Sequence, residues 1–372
     1  MMNLPMKPIL PLRWLLLALS MATLPLLATE TPAAATKPYT FKRGVNISHW
    51  LSQNFDTPYA APWFGQKDVV WIAHHGFDHV RLAVDLRLCV KPDGSLDEAK
   101  LQPIHDTIAW AKPLGLGVVL DAHFLPGADF NGNGQDKRVY TDPALQDKVA
   151  ALWADLARRF AAEGPWLRFE ILNEPVAAKN EELNPFQAHM LKAIRATNPT
   201  RIVYLTSNRW SIFSTVPDVV LPDDPNIALT IHNYEPLVFT HQRASWVNFD
   251  DKLPPVAFPG TVPDYLPHMT QPGHHDFGKP GDPLTVAQVD ESFAKVAAWV
   301  QAHHPGIEVY VGEFGVYEPA DAQSKKNWLQ TVVRNCESRG WGWAVWEYEG
   351  GFGVRDEKTG KATNVVEGLF AK

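Results

Sequence analysis

The sequence predicts an α/β protein folded as one closed (β/α)8 barrel, a TIM barrel, on three observations. After residue 40, eight short apolar runs recur, at 44–48, 79–84, 116–121, 167–172, 202–207, 228–233, 308–312 and 342–346. Longer amphipathic stretches separate them, and strand-helix alternation repeated eight times implies a parallel sheet closing on itself. An open doubly wound sheet competes, but no Gly-rich phosphate loop follows any early strand, so a dinucleotide site has no support.

Taken in order, the chain begins with Lys7 and Arg13 leading into a short apolar run that ends in small residues by 28, the layout of a secretory signal. The run is short for a membrane span, and a Thr/Pro/Ala-rich stretch follows it, so cleavage is expected and an uncleaved anchor is the alternative. Residues 29–39 read as a flexible linker and 40–372 as a single catalytic barrel, secreted or periplasmic and monomeric. Between strands three and four, Leu145, Val149, Leu152, Trp153, Leu156 and Phe160 follow a helical period, with Asp142 as N-cap and Pro143 in the first turn. A last clear helix stops at Gly340. The exception to the even spacing is 235–284, dense in Pro, Gly, His and aromatic residues between strand six and helix six. Loops this long are usually functional or disordered, and in a barrel this one lies on the face that carries active sites.

Composition narrows the partners. Of the 372 residues, 45% are hydrophobic and 20% charged, an ordinary globular balance. The net charge of −7 loses two positive groups with residues 1–28 and becomes −9, which argues against nucleic acid or an anionic membrane as a partner. The 14 tryptophans are core filler for the most part, but those near the rim suit flat apolar sugar faces. Cys336 falls on the apolar stripe of a helix and Cys89 after a strand, so two unpaired thiols are expected although export permits a disulfide.

The strand ends carry the chemistry. Strand two delivers Arg81, strand three Asp121 and His123, strand four Asn173 and Glu174, strand six His232 and Tyr234, strand seven Glu313, and strand eight Trp346. Singly, Arg81 reads as a core ion pair and His123 as a structural histidine. In a barrel, however, all these ends point at one opening, and chance would have to place each of them there. Glu174 and Glu313 each follow an apolar run on different sides of that opening. Glycoside hydrolysis needs such a pair, an acid to protonate the leaving oxygen and a carboxylate to attack the anomeric carbon. The acid needs a raised pKa, whereas a carboxylate near Arg81 and a tyrosine hydroxyl is held ionised.

The order Arg81, His123, Asn173-Glu174-Pro175, His232-Asn-Tyr234, Glu313-Phe-Gly315, Trp346 resembles glycoside hydrolase family 5, the cellulase family, across residues 40 to 350. The resemblance implies that Glu174 is the general acid/base and Glu313 the nucleophile of a retaining, cofactor-free and metal-free enzyme. It makes Asn173 a ligand of the sugar 2-hydroxyl and gives Arg81 and Tyr234 the task of orienting Glu313. His123 and His232 would contact sugar hydroxyls or the acid/base, and Trp346 would floor the reacting ring. One departure stands out: many relatives pair histidines after strand three, whereas here Phe124 follows His123.

Trp50, Trp63, Trp210, Trp246 and Phe352 are candidates for stacking on consecutive sugars, Trp210 foremost because it directly follows strand five. An acidic protein with an aromatic groove suits a neutral polysaccharide, so a secreted endo-β-1,4-glucanase is expected. A β-mannanase or β-1,3-glucanase remains open on the same scaffold. A non-catalytic glycan-binding barrel would have no use for an opposed acid pair, which is costly to keep close. A metal-dependent hydrolase would have to recruit His74, His75, His274 or His275 from a helix and a loop, away from the strand ends.

Overall fold

The computed structural model describes residues 39–53, 63–131, 135–271 and 276–370. The expected signal and all of the linker but Tyr39 lie outside them. Eight parallel strands close the barrel: β1 Arg43–Leu51, β2 His79–Asp85, β3 Gly117–Phe124, β4 Leu167–Glu170, β5 Val203–Thr206, β6 Ile227–Asn233, β7 Glu308–Phe314 and β8 Gly342–Val345. Every residue of β2, β3 and β6 is buried, because helices cover the outer face while side chains fill the interior. At the bottom, Phe41, Val119, Tyr204, Ala228, Tyr310 and Ala344 form an apolar plug. Higher up the interior turns polar. The register sets Asn46 opposite Arg81, Asp121 opposite Glu170 and His232 opposite Glu313.

The outer helices are α1 Gln66–His74, α2 Glu98–Ala111, α3 Pro143–Arg159, α4 Asn180–Arg195, α5 Val286–His303, α6 Ala322–Ser338 and α7 Asn364–Phe370. Asp142 caps α3 as expected, its Oδ1 accepting from Ala144 N at 3.0 Å and Leu145 N at 3.2 Å. The fifth connection differs from the expected helix. A six-residue 3-10 helix, Phe213–Asp218, takes its place. Pro217, Pro222 and Pro225 remove the amide donors that a longer helix there would need.

The described residues of the long segment after β6 are packed. Its residues Phe249, Phe258 and Phe277 are buried, and the Gln242 amide ties it together, donating to Val256 O at 3.1 Å and accepting from Val256 N at 3.0 Å. Gly260–Thr261 and Pro283–Leu284 form a short antiparallel ladder within it. Cys89 and Cys336 are both buried thiols outside any disulfide, and Cys89 Sγ donates to Asp85 O at 3.8 Å.

Candidate active site

Arg81 organises the site from within the barrel. It is fully buried and donates through Nε and Nη2 to the Glu170 carboxylate at 2.7 and 2.8 Å, in the bidentate geometry that suits a guanidinium. The remaining donors reach Asn46 Oδ1 at 2.9 Å, Asn173 Oδ1 at 2.7 Å and Glu313 Oε1 at 2.8 Å, and Asp121 Oδ2 lies 3.1 Å away. Asn46 in turn donates to Gly312 O at 2.9 Å and Val345 O at 3.2 Å, locking β1 to β7 and β8 beside Glu313.

β4 ends earlier than its apolar run suggests. The regular strand stops at Glu170, and Asn173 continues the ladder with one bond, from its N–H to Ala122 O at 3.1 Å. Glu174 therefore stands on the rim, and its Oε1 lies 2.9 Å from His232 Nδ1. Across the opening, Glu313 accepts from Tyr234 Oη at 3.0 Å on the oxygen that Arg81 leaves open. Glu174, His232 and Glu313 each bring one polar atom to within 4.8 Å of the others'. Gly315 follows Glu313 by two because a Cβ there would sit 2.5 Å from the Trp346 carbonyl oxygen.

The surroundings make the two glutamates unlike. Burial pushes Glu174 well above the ordinary carboxylate range, and the neighbouring Glu313 charge pushes it further. Burial also raises Glu313, but Arg81 and the Tyr234 hydrogen bond pull it back. One carboxyl is thus disposed to hold a proton and the other to release it. Burial drives His232 well below its usual value and His123 down to about 3, so both rings are neutral. His123 Nδ1 lies 2.8 Å from Asp121 Oδ2, an interaction that orients the ring and leaves Nε2 unengaged. That Nε2 and Asn173 Nδ2 are buried with no partner in the protein. Buried polar atoms are rarely left so, and both residues line the cleft.

The site opens into a cleft of about 1920 Å³ lined by His123, Asn173, Glu174, Trp210, His232, Tyr234, Glu313 and Trp346. Trp346 lies nearly parallel to the His123 ring, centroids 5.6 Å apart. Trp210 reaches the cleft through a turn in which Arg209, Trp210 and Ser211 all have positive φ, and Trp246 and Phe352 also line it, Phe352 beside Tyr234. Trp50 instead is buried against Phe64, and Trp63 packs edge-on to Tyr348. Of the histidines considered for a metal, His75, at the C-terminal end of α1, has Nδ1 2.7 Å from Trp71 O, while His274 and His275 lie outside the described residues. The Glu174, His232, Glu313 group has the spacing of metal ligands, but its atoms engage one another, Arg81 and Tyr234.

The strand ends named from sequence therefore converge. Missed were the groups behind them. Glu170 and Asn46 hold Arg81, and the only sign of Glu170 was a carboxylate inside the apolar run Arg168-Phe-Glu-Ile-Leu172.

Comparison with known proteins agrees with this geometry. Endoglucanase C of Acetivibrio thermocellus is 31% identical over 323 residues, covering 83% of this chain and 91% of that protein. Among solved structures, the cellulose synthase subunit Z (CcsZ) of Clostridioides difficile superposes with a TM-score of 0.74 at 25% identity, covering 89% of this chain and all of that one. Thermotoga maritima Cel5A, in complexes with cellobiose and with mannotriose, superposes at 0.73 with 26% identity, over 90% of this chain and 100% and 98% of those chains. The sequence profile of Cellulase (glycosyl hydrolase family 5) matches residues 43–351, from β1 to beyond β8, and on that match the chain belongs to this cellulase family and is a glycoside hydrolase.

Proposed function

We propose that the protein is a secreted, retaining endo-β-1,4-glucanase in which Glu313 is the nucleophile and Glu174 the general acid/base. The observation that carries the retaining assignment is the short spacing of the pair, each offering an oxygen within 4.8 Å of the other's. Retaining glycosidases hold their carboxyls about 5–5.5 Å apart, whereas inverting ones leave room for a water between them at about 6.5–9.5 Å. In the first displacement Glu313 bonds to the anomeric carbon as the glycosidic bond breaks, and Glu174 gives its proton to the leaving oxygen. In the second, water attacks the same carbon, Glu174 takes its proton, and the ester to Glu313 is released. Asn173 Nδ2 and His123 Nε2 bind hydroxyls of the reacting ring, and Trp346 supports it. Tyr234 and Arg81 keep Glu313 ionised and aimed. NMR of the first product is expected to show the anomeric configuration of the substrate, and initial release of the opposite anomer would overturn the double displacement.

For the substrate, the acidic cleft with Trp210 and Trp246 and the endoglucanase relative support β-1,4-glucan. β-Mannan is the second reading, favoured by the mannotriose complex of Thermotoga maritima Cel5A. Reducing-sugar release from carboxymethyl cellulose, mixed-linkage glucan, laminarin and mannan, with Glu313→Ala as control, decides between them. Fast release from the two 1,4-linked glucans, lost in the variant, is expected. Release from mannan or laminarin alone would replace the substrate, and release from none would replace the function. Export rests on the basic lead and apolar run before residue 28. The exported protein should begin after that run, and an N-terminus retaining Lys7 and Arg13 would overturn cleavage.

A further inference from the structure

The departure after strand three has a structural counterpart. Phe124, which follows His123, is fully buried and stacks on Phe130, centroids 4.8 Å apart and planes within 5°. The Arg87 guanidinium covers the Phe124 ring at 4.2 Å and is itself fixed by Asp85 at 2.9 and 2.7 Å and by Asp129 at 2.6 Å. The tier leads to the cleft wall, which Phe130 lines, half-buried. Phe130 meets His123 edge-on at 5.3 Å, and its carbonyl accepts from Trp210 Nε1 at 3.4 Å. The chain on either side is pinned, with Asp129 N donating to Asp136 O at 2.9 Å and Val139 N to Gly127 O at 3.0 Å. A ring held from behind, beside and through its own backbone is a preorganised apolar surface next to His123.

We infer that Phe130 is the platform of the sugar subsite adjoining the reacting one, and that it favours a β-glucosyl over a β-mannosyl unit there. The inference rests on the glycan-hydrolase reading above and specifies one of its subsites. A β-glucopyranose carries all its ring substituents equatorial, so both faces offer axial C–H groups to an aromatic surface. Mannose turns its 2-hydroxyl axial and places an oxygen over one face, which stacking would strip of water without returning a hydrogen bond.

The test is calorimetric titration of cellotetraose and mannotetraose into the Glu313→Ala protein, with and without Phe130→Ala, Phe130→Leu and Phe130→Trp. Phe130→Leu keeps apolar packing on Phe124 and removes the flat ring, which separates the platform from the fold. Cellotetraose is expected to bind about tenfold more weakly to the Ala and Leu proteins, near the worth of one aromatic contact. Phe130→Trp should retain binding, and mannotetraose should lose less. Unchanged cellotetraose binding in the Leu protein overturns the platform, and equal losses for the two sugars overturn the preference. Reducing-sugar release by the unmodified protein is read alongside. No release from any glycan, with Phe130 still governing cellotetraose binding, would remove the hydrolase reading and leave the platform standing.

Discussion

Glu174 and Glu313 are the same side chain made unlike by their neighbours. Glu174 faces a neutral histidine and a like charge, while Glu313 faces a guanidinium and a phenol. The dependence of rate on pH should accordingly be bell-shaped, the acid limb reporting ionisation of Glu313 and the alkaline limb loss of the Glu174 proton. Tyr234→Phe removes a hydrogen bond that favours the charged form of Glu313, so its pKa rises. The acid limb of kcat/KM should move to higher pH while the alkaline limb stays, and an unshifted acid limb would mean that Tyr234 does not tune Glu313. At this scale the sequence was legible where chemistry is carried by a side chain at a strand end. It was silent on Asn46 and Glu170, whose importance comes from distances to Arg81 that no spacing in the chain encodes.

At the scale of elements, legibility followed local signals. α3 combines a 3.6-residue apolar stripe, an aspartate cap and a proline in its first turn, and it forms as read. Asp142→Ala leaves Ala144 N and Leu145 N without that acceptor and should cost about 1 kcal/mol in denaturant unfolding. A change near zero would show that solvent serves the two amides equally well. The fifth connection was misjudged because alternation was extended over a stretch whose prolines forbid a helix. The turn that delivers Trp210 could not be foreseen, since three consecutive non-glycine residues with φ near +53°, +61° and +58° have no local preference for it. Tertiary contacts hold it, among them Trp210 N donating to Pro175 O at 3.1 Å.

Over the whole molecule, the barrel encloses one buried guanidinium among several carboxylates. Arg81 cannot offset Asp121, Glu170 and Glu313 all ionised, and burial pushes Asp121 and Glu170 up to about 7 despite it. Both pKa values are raised above the ordinary value of about 4, so the folded state binds more protons than the unfolded chain between about pH 4 and 7. Their stabilisation is complete below that interval and is lost as the pH rises through 7. Asp78 acts in the opposite sense, since bonds from His79, Arg43 N and Thr40 hold it at about 2, and its contribution is lost as the pH falls toward 2. His123 and His232, held neutral by burial, lose their contribution as the pH falls below about 6.5 and so oppose the carboxyls there. The melting temperature should therefore be higher near pH 6.5 than at pH 8, and should drop below pH 3. A melting temperature still rising from about pH 6.5 to 8 would contradict the protonated cluster. By itself the sequence determined the barrel, the convergence of its strand ends and the pair Glu174 and Glu313, because alternation and apolar period are local and closure brings every strand end to one rim. Only the tertiary structure decided which aromatic residues reach the cleft, what holds Arg81 and how the two glutamates differ in acidity. Burial and distance across the barrel set those, and neither is a property of neighbours in the chain.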